Sequence, residues 1–234
     1  MELKFLLDFD GVLFNSAFEA FSVCNHAVAG DAAFRQDVAF EEFEAFRSVV
    51  TDAWQYNRLY HSGQRLMQFD QLPGVVPDHR DWDFATRFFA ARAEMMADPD
   101  WAKVMAPYDF FFLLKPLLVA HADKFAILST RNVASIRRTL AFFGADVVAV
   151  FGQEDIRACG SKVAVAEAQG WLVRDRYLVV YVDDMNSHLE PFDGKVHLPL
   201  HANWGYDRTK IDSLSQHQVL TIIASMLKIA GSHP

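Results

Sequence analysis

The chain of 234 residues has an ordinary globular composition, in which 52% of the residues are hydrophobic and 22% are charged. An intrinsically disordered chain would have fewer apolar residues and more net charge. The formal net charge of −8 excludes a broad basic surface for nucleic acid. It still permits a local anion site made of backbone N–H groups and one or two cationic side chains. We therefore expect no nucleic-acid partner.

Cysteine usage and hydropathy are typical of a cytoplasmic protein without membrane contact. Cys24 and Cys159 lie far apart and show no CxxC or metal-ligand spacing, so we interpret both as reduced, buried thiols. The N-terminus leads directly into a strand-like segment and shows no signal-peptide pattern. The most apolar stretch, residues 110–119, contains a lysine and is too short to span a bilayer.

Short apolar runs that end in polar or glycine residues predict the strands of a sheet. The runs are residues 3–9, 125–128, 147–151, 177–182 and, more weakly, 196–200. Near-continuous hydrophobic strands of this kind are typical of parallel sheets that are covered on both faces. Helices are predicted over residues 133–144, 161–170 and 212–230. The fold class is therefore α/β, a Rossmann-like parallel sheet with helices on both faces.

The segment 15–106 interrupts this alternation of strands and helices. Its phenylalanines recur at helical spacing, most clearly over residues 40–50. We interpret the segment as a helical insertion. The predicted organisation is an α/β core, residues 1–14 and 107–234, with a helical cap at 15–106.

The predicted strand ends share one property, which is that each carries polar side chains. These are Asp8 and Asp10, Ser129 and Thr130, and Asp183 and Asp184. Ligands of parallel α/β sheets bind beyond the carboxyl ends of the strands, so these side chains should line one cleft. Four carboxylates there would repel one another, and a hard divalent cation such as Mg²⁺ would relieve the repulsion. Lys162, at the start of a helix, would supply positive charge for a phosphoryl group.

Four short motifs follow one another along the core. They are Asp8-Phe9-Asp10-Gly11-Val12-Leu13, then Ile127-Leu128-Ser129, then Lys162 with the helix after it, and finally Val179-Val180-Tyr181-Val182-Asp183-Asp184. In this order they resemble the motifs of the haloacid dehalogenase-like hydrolase superfamily, and the resemblance covers residues 1 to about 14 and 107 to about 200. It implies that family's fold, with a helical cap inserted between the first and second motifs.

The resemblance implies a phosphatase that acts through an aspartyl phosphate. Asp8 would be the nucleophile. Asp10 would protonate the leaving oxygen and then take a proton from water, which calls for a raised pKa. Ser129 and Thr130 would bind the phosphoryl group, and Lys162 would bridge that group and Asp8.

The resemblance also implies a Mg²⁺ site. The ligands would be a carboxylate oxygen of Asp8, the backbone carbonyl of Asp10, the carboxylate of Asp184 and, directly or through water, Asp183. The motif departs from many relatives here, because Asp183 replaces a glycine and His188 stands where a further aspartate is common. We predict that His188 is an exposed loop residue.

The implied substrate is a small phosphorylated metabolite, either a sugar phosphate or a nucleotide. Asp10 favours an oxygen leaving group on phosphorus, because a carbon–halogen bond would need no proton donor. In relatives with this insertion, cap side chains contact the leaving group. The candidates here are Arg47 and Arg58, together with His61, Arg65, Tyr56 and Trp54.

The sequence leaves several alternatives open. A phosphomutase of the same fold would have the same motifs, and a non-catalytic binding module could retain the fold. Residues 203–206 are interpreted either as a rim loop of the cleft or as packing for the last helix. We expect a monomer or a homodimer.

Overall fold

The structure, a computed structural model, describes residues 1–65, 68–207 and 212–231. The chain divides into two compact units, which we call the core unit, Met1–Asn15 with Ala106–Pro234, and the helical unit, Ser16–Met105. Asn15 and Ala106, which the sequence pattern places in the insertion, belong to the core unit. The role of the helical unit as a cap stays a prediction.

The strands of the core unit form a parallel sheet and a short ribbon. In chain order they are β1 (Glu2–Leu7), β2 (Phe14–Asn15), β3 (Ala106–Pro107), β4 (Phe125–Leu128), β5 (Ala149–Phe151), β6 (Tyr177–Asp183) and β7 (Leu198–His201). The sheet has the order β5-β4-β1-β6-β7, and its neighbouring strands are all parallel. β2 and β3 pair antiparallel, where the chain leaves and re-enters the core unit. The predicted α/β class is confirmed.

The described residues also form ten α-helices. In chain order they are α1 (Ala17–Val28), α2 (Phe40–Arg47), α3 (Asn57–Tyr60), α4 (His79–Met95), α5 (Asp109–Ala120), α6 (Val133–Phe142), α7 (Gln153–Cys159), α8 (Lys162–Ala168), α9 (Asn186–Leu189) and α10 (Gln216–Gly231). Short 3₁₀ turns lie at Ala53–Tyr56, Phe69–Gly74, Trp101–Val104, Ala122–Lys124 and Glu190–Phe192. No helix in the described ranges combines the length and apolar character that a bilayer crossing requires.

The sheet of the core unit is buried on both faces, as the continuous apolar strands predict. Successive side chains of a strand point to opposite faces, and Phe5, Leu6 and Leu7 of β1 are all fully buried. On one face Leu6 belongs to a cluster that includes Val165 of α8. On the other face Phe5 stacks on Phe125, with ring centroids 4.8 Å apart.

The strand predicted over residues 3–9 ends earlier, at Leu7. The carbonyl oxygen of Phe9 accepts hydrogen bonds from the backbone N–H groups of Leu13 and Phe14, at 3.0 Å each. The chain therefore turns into a loop immediately after Asp8. Asp10 and Gly11 lie in this loop and not in the sheet.

The helical unit is built around an aromatic core. Tyr56 stacks on Phe43 and on Phe88, with ring centroids 5.0 Å and 5.6 Å apart. Cys24 is buried in the same cluster, and burial raises the pKa of its thiol. Cys159, at the end of α7 in the core unit, is exposed, so the interpretation of both cysteines as buried is wrong for Cys159.

A buried ion pair joins α1 to α4 in the helical unit. Arg92 Nε and Nη2 donate to the two carboxylate oxygens of Glu19, at 2.9 Å each. Both side chains are almost fully shielded from solvent. Each charge therefore depends on the other, because an unpaired charge at this depth would lose its hydration without compensation.

Arg92→Met is expected to lower the free energy of unfolding by about 3 kcal/mol, because it removes the positive charge that balances the buried Glu19 carboxylate. Glu19→Leu combined with Arg92→Met should recover most of that loss, since neither charge then remains. Urea unfolding of purified protein measures both. Arg87→Met on the same helix is the control, because Arg87 pairs with Asp31 at the surface. Equal losses for Arg92→Met and Arg87→Met would contradict this expectation.

Candidate active site

The register of the sheet brings three strand ends together at one edge. Leu7 of β1 pairs with Ile127 of β4 on one side and with Val182 of β6 on the other. The residues that follow are therefore neighbours, and Asp8 N–H donates to the carbonyl of Val182 at 2.9 Å. Ser129, directly after β4, lies at the same edge.

Lys162 reaches this edge from the first turn of α8. Ser161 caps that helix, since its Oγ accepts from the backbone N–H of Ala164. Lys162 Nζ lies 3.1 Å from Asp8 Oδ1 and 2.8 Å from Asp183 Oδ2. The ammonium is buried, so it bridges the two carboxylates without competition from solvent.

Asp183 is held on all sides by donors of the protein. Oδ2 accepts from Lys162 and, in a short hydrogen bond, from the Tyr181 hydroxyl. Oδ1 accepts from the backbone N–H of Met185 at 2.8 Å. His188 Nδ1 lies 3.2 Å from both Asp183 Oδ1 and Lys162 Nζ. These contacts make Asp183 the anchor of Lys162.

The pKa values of the two carboxyl groups beside Lys162 are shifted in opposite directions. Burial raises the pKa of Asp8 to about 6, although Lys162 acts to lower it. Burial also acts to raise the pKa of Asp183, but Lys162 and His188 hold it well below its ordinary value. Burial disfavours the charged form of Lys162, yet Asp183 and Asp8 raise the pKa of Lys162 above its usual range. The resting cluster therefore holds a charged lysine, with Asp183 as its main counterion.

Asp10 forms a second ion pair, with Arg131. Arg131 Nε lies 3.0 Å from each Asp10 oxygen, and Nη2 lies 3.0 Å from Oδ1. The guanidinium is buried, and its Nη1 donates to Ser135 Oγ at 3.0 Å. Arg131 directly follows Ser129 and Thr130 at this strand end, but the sequence prediction does not include it.

Asp184 lies between two backbone segments that must approach it closely. A Cβ on Gly11 would lie 2.2 Å from Asp184 Oδ2, and a Cβ on Gly205 would lie 2.3 Å from the Asp184 side chain. Gly11 also has φ +85°, which favours glycine. These contacts place the Asp184 carboxylate against the loop that carries Asp10.

Residues 203–206 contact the site, and they also pack in the core. Tyr206 N–H donates to Asp184 Oδ2 at 2.6 Å. Trp204 Nε1 donates to the carbonyl of Val12 at 3.0 Å, and its ring packs against Phe110. The loop therefore fixes Asp184 while it packs against α5.

The remaining predicted core residues differ in exposure. Ser129 is fully buried, and its Oγ accepts from the backbone N–H of Arg131 at 3.4 Å. Thr130 is exposed at the same strand end. His188 is half-buried against Asp183 and Lys162, so the prediction of an exposed loop histidine is wrong.

The candidate substrate contacts of the helical unit make contacts within that unit. Arg58 pairs with the buried carboxylate of Asp81. Arg47 Nη1 donates to the carbonyl of Val50 at 2.9 Å. Arg65 pairs with Glu42. The remaining candidates are placed as follows: Tyr56 and Trp54 are buried in the aromatic core, and His61 Nδ1 accepts from the backbone N–H of Gly63. Their role as substrate contacts stays a prediction.

Asp8, Asp183 and His188 form a possible metal-binding group among the described residues, because their ligand atoms lie within 4.8 Å of one another. The Lys162 ammonium is within 3.2 Å of an atom of each of them. A cation at the centre of this group would have to displace the ammonium. The oxygens of Asp8 and Asp184, near the Asp10 loop, are the better candidates for a hard divalent cation.

Comparison with solved structures supports the fold. No protein-family model matches the sequence, and no curated protein matches it either. A structure from Haemophilus somnus described as a predicted phosphoglycolate phosphatase is 14% identical over 95% of this chain and 98% of its own, with a TM-score of 0.64. One from Clostridium acetobutylicum described as a predicted phosphatase is 12% identical over 96% and 99%, with a TM-score of 0.63.

A third similar structure contains a ligand. CbbY from Rhodobacter sphaeroides, in complex with phosphate, is 13% identical over 92% of this chain and 93% of its own, with a TM-score of 0.60. A structure described as a haloacid dehalogenase-like hydrolase, from Bacteroides fragilis, is also similar, with a TM-score of 0.61 and 13% identity over 88% and 89% of the chains. This chain therefore has the fold of haloacid dehalogenase-like proteins.

Asp8→Asn is expected to stabilise the metal-free protein at neutral pH. A carboxyl whose pKa is about 6 in the folded state, against an ordinary 3.8, binds its proton more tightly when folded. Stability is therefore lost as pH rises through the window from about 4 to about 6. The free energy of unfolding of the variant should exceed that of wild type by about 1–3 kcal/mol at pH 7.5 and be almost equal to it at pH 4.

Urea unfolding in EDTA at the two pH values measures this difference. Asp175→Asn is the control, because Asp175 is exposed and the change should have the same small effect at both values. If Asp8→Asn raises the free energy of unfolding equally at pH 4 and pH 7.5, this result would contradict the raised pKa of Asp8.

Proposed function

We propose that the protein is a Mg²⁺-dependent phosphatase that hydrolyses a small phosphomonoester through an aspartyl phosphate on Asp8. The observation that carries the proposal is the buried contact of Asp8 with Lys162, 3.1 Å long, at the carboxyl edge of the sheet. This contact is the one expected of a nucleophile and the lysine that bridges it to phosphate. Two proteins of similar fold are described as predicted phosphatases, and a third, CbbY, contains bound phosphate; these likenesses support the same function.

The charge of the site supports a single divalent cation. Six charged side chains meet there: Asp8, Asp10, Asp183, Asp184, Lys162 and Arg131. The formal charges of these six side chains sum to −2, which one divalent ion would neutralise. Carboxylate and carbonyl oxygens are the ligands that Mg²⁺ prefers. The donor set therefore fits the ion.

The proposed ligands are Asp8, the backbone carbonyl of Asp10, and Asp184. Asp184 lies against Gly11, the residue after Asp10 in the same loop, and this closeness supports the assignment. We assign Asp183 to Lys162 rather than to the metal, because its oxygens already accept hydrogen bonds from Lys162, Tyr181 and Met185. When bound, Mg²⁺ would offset the negative charge that otherwise keeps an anionic nucleophile from a phosphate.

The side chains have the following proposed roles in the reaction. Asp8 attacks phosphorus, and Lys162 stabilises negative charge on the transferred group while it keeps Asp8 in place. Ser129 donates its hydroxyl to a phosphoryl oxygen, with Thr130 beside it at the rim. Asp10 protonates the leaving oxygen and later takes a proton from the water that hydrolyses the intermediate.

The substrate is proposed to be a small phosphorylated metabolite such as a sugar phosphate or a nucleotide. Similar structures include CbbY with a sugar bisphosphate bound, which is a property of that protein. A phosphomutase would use the same groups and differs only in its phosphoryl acceptor. Release of inorganic phosphate in step with substrate loss distinguishes the phosphatase from the mutase.

The test is hydrolysis of 4-nitrophenyl phosphate and of a panel of sugar phosphates and nucleotides, with Mg²⁺ or with EDTA. Wild type should release inorganic phosphate only with the metal. Asp8→Asn should fall to the level of protein-free buffer, because the amide that replaces the carboxylate cannot form the covalent intermediate.

Asp175→Asn is the matched control and should retain full activity, since Asp175 is an exposed residue of the core unit. Circular dichroism confirms that each variant is folded. Equal activity of wild type and Asp8→Asn, or no activity of wild type across the panel, would refute the proposal.

A further inference from the structure

We infer that Arg131 is a positioning residue that fixes the orientation of the Asp10 carboxylate. The inference rests on the proposed function, because it concerns the group that moves protons there. Asp10 lies in the loop after β1, and Arg131 follows β4, the neighbouring strand. The contact therefore crosses between two adjacent strand ends.

Two nitrogens of the Arg131 guanidinium contact the Asp10 carboxylate. Arg131 Nε is 3.0 Å from both Asp10 oxygens, and Nη2 is 3.0 Å from Oδ1. Two donors of a planar guanidinium on one carboxylate restrain both the position and the rotation of that carboxylate. A lysine would supply the charge without this rotational restraint.

Arg131 is itself held rigidly. Its side chain is only 2% exposed, and Nη1 donates to Ser135 Oγ in the first turn of α6. Ser135 N–H in turn donates to Asn132 Oδ1, the cap of that helix, at 2.7 Å. Because Arg131 is buried and hydrogen-bonded to a helix, its guanidinium has a fixed position and holds the Asp10 carboxylate in one orientation.

This orientation matters because the chain leaves the sheet before it reaches Asp10. The rotation of the Asp10 side chain is therefore limited by its own contacts and not by the pairing of β1. A proton donor must lie within hydrogen-bond reach of the leaving oxygen, and small displacements of a catalytic group reduce the rate sharply. Asp8 differs, since it follows β1 directly and is fixed by Lys162.

The test is a double-mutant cycle on turnover. Arg131→Met should lower kcat about 10- to 100-fold and change KM less than about threefold, because it displaces Asp10 and leaves phosphate binding intact. Arg131→Lys should recover part of kcat. In an Asp10→Asn background, Arg131→Met should change kcat less than about twofold, because there is no acid left to position. Arg137→Met is the control, since Arg137, on α6, pairs with Asp146 at the surface.

Several outcomes would overturn the inference. A loss of kcat of equal size in the wild-type and Asp10→Asn backgrounds would show that Arg131 acts independently of the Asp10 carboxylate. A change confined to KM would show that it binds substrate instead. An unchanged kcat would remove the role altogether.

A crystal structure of Arg131→Met provides a test that does not depend on activity. The Asp10 carboxylate should rotate or occupy several orientations, while Asp8, Lys162 and Asp183 keep their contacts. An unchanged Asp10 would overturn the inference even if the protein hydrolysed no phosphate ester. Absence of wild-type activity with a rotated Asp10 would instead refute the proposed function and leave the positioning role standing.

Discussion

The contact of one buried lysine with two carboxylates is the interaction on which the site depends. Lys162 pairs with Asp8 and Asp183, which lie at the ends of two adjacent strands of the sheet. Two carboxylates side by side at a buried edge would repel each other, and each would favour its protonated form. The Lys162 ammonium offsets this repulsion mainly for Asp183. Hydrogen bonds from Tyr181 and Met185 further stabilise the charged form of Asp183. Asp8 keeps a raised pKa, so its charged form is less favoured than that of an ordinary aspartate, and a bound cation would favour it.

A second constraint is the close approach of the backbone to Asp184. Gly11 and Gly205 leave room for the Asp184 carboxylate, and any side chain at either position would collide with it. Tyr206 N–H then fixes one oxygen. The cation proposed for this site would therefore meet a carboxylate whose position is set by packing before binding. Preorganisation of this kind reduces the conformational entropy that ligand binding would otherwise lose.

Much of the fold could be predicted from the sequence because its signals are local. Continuous apolar runs ending in polar residues identify buried parallel strands, and in such a sheet the strand ends meet at one edge. The same rule predicts from the sequence alone that Asp8, Ser129 and Asp183 lie together. The helix that carries Lys162 is marked by Ser161, a good N-cap. The α/β class and the composition of the strand edge follow from these patterns.

The pairings within the site could not be predicted, because they depend on side-chain directions across long sequence separations. Arg131 lies one residue beyond the expected pair at its strand end, and nothing in the sequence indicates that it turns toward Asp10 and not toward solvent. Tyr181 has the pattern of an ordinary apolar strand residue, although its hydroxyl reaches Asp183. His188 has a polar neighbourhood typical of a loop, but its short helix α9 turns it toward Lys162. The exposure of Cys159 has no sequence signal of its own.

A crystal structure of the protein with Mg²⁺ and beryllium fluoride would test the proposed site most directly. We expect one Mg²⁺ per chain, about 2.1 Å from oxygens of Asp8, Asp184 and the Asp10 carbonyl. We also expect beryllium bound to Asp8, while Lys162 keeps its contact with Asp183. A metal held by Asp183 and His188 in place of the ammonium, or a fluoride complex away from Asp8, would contradict the proposed site.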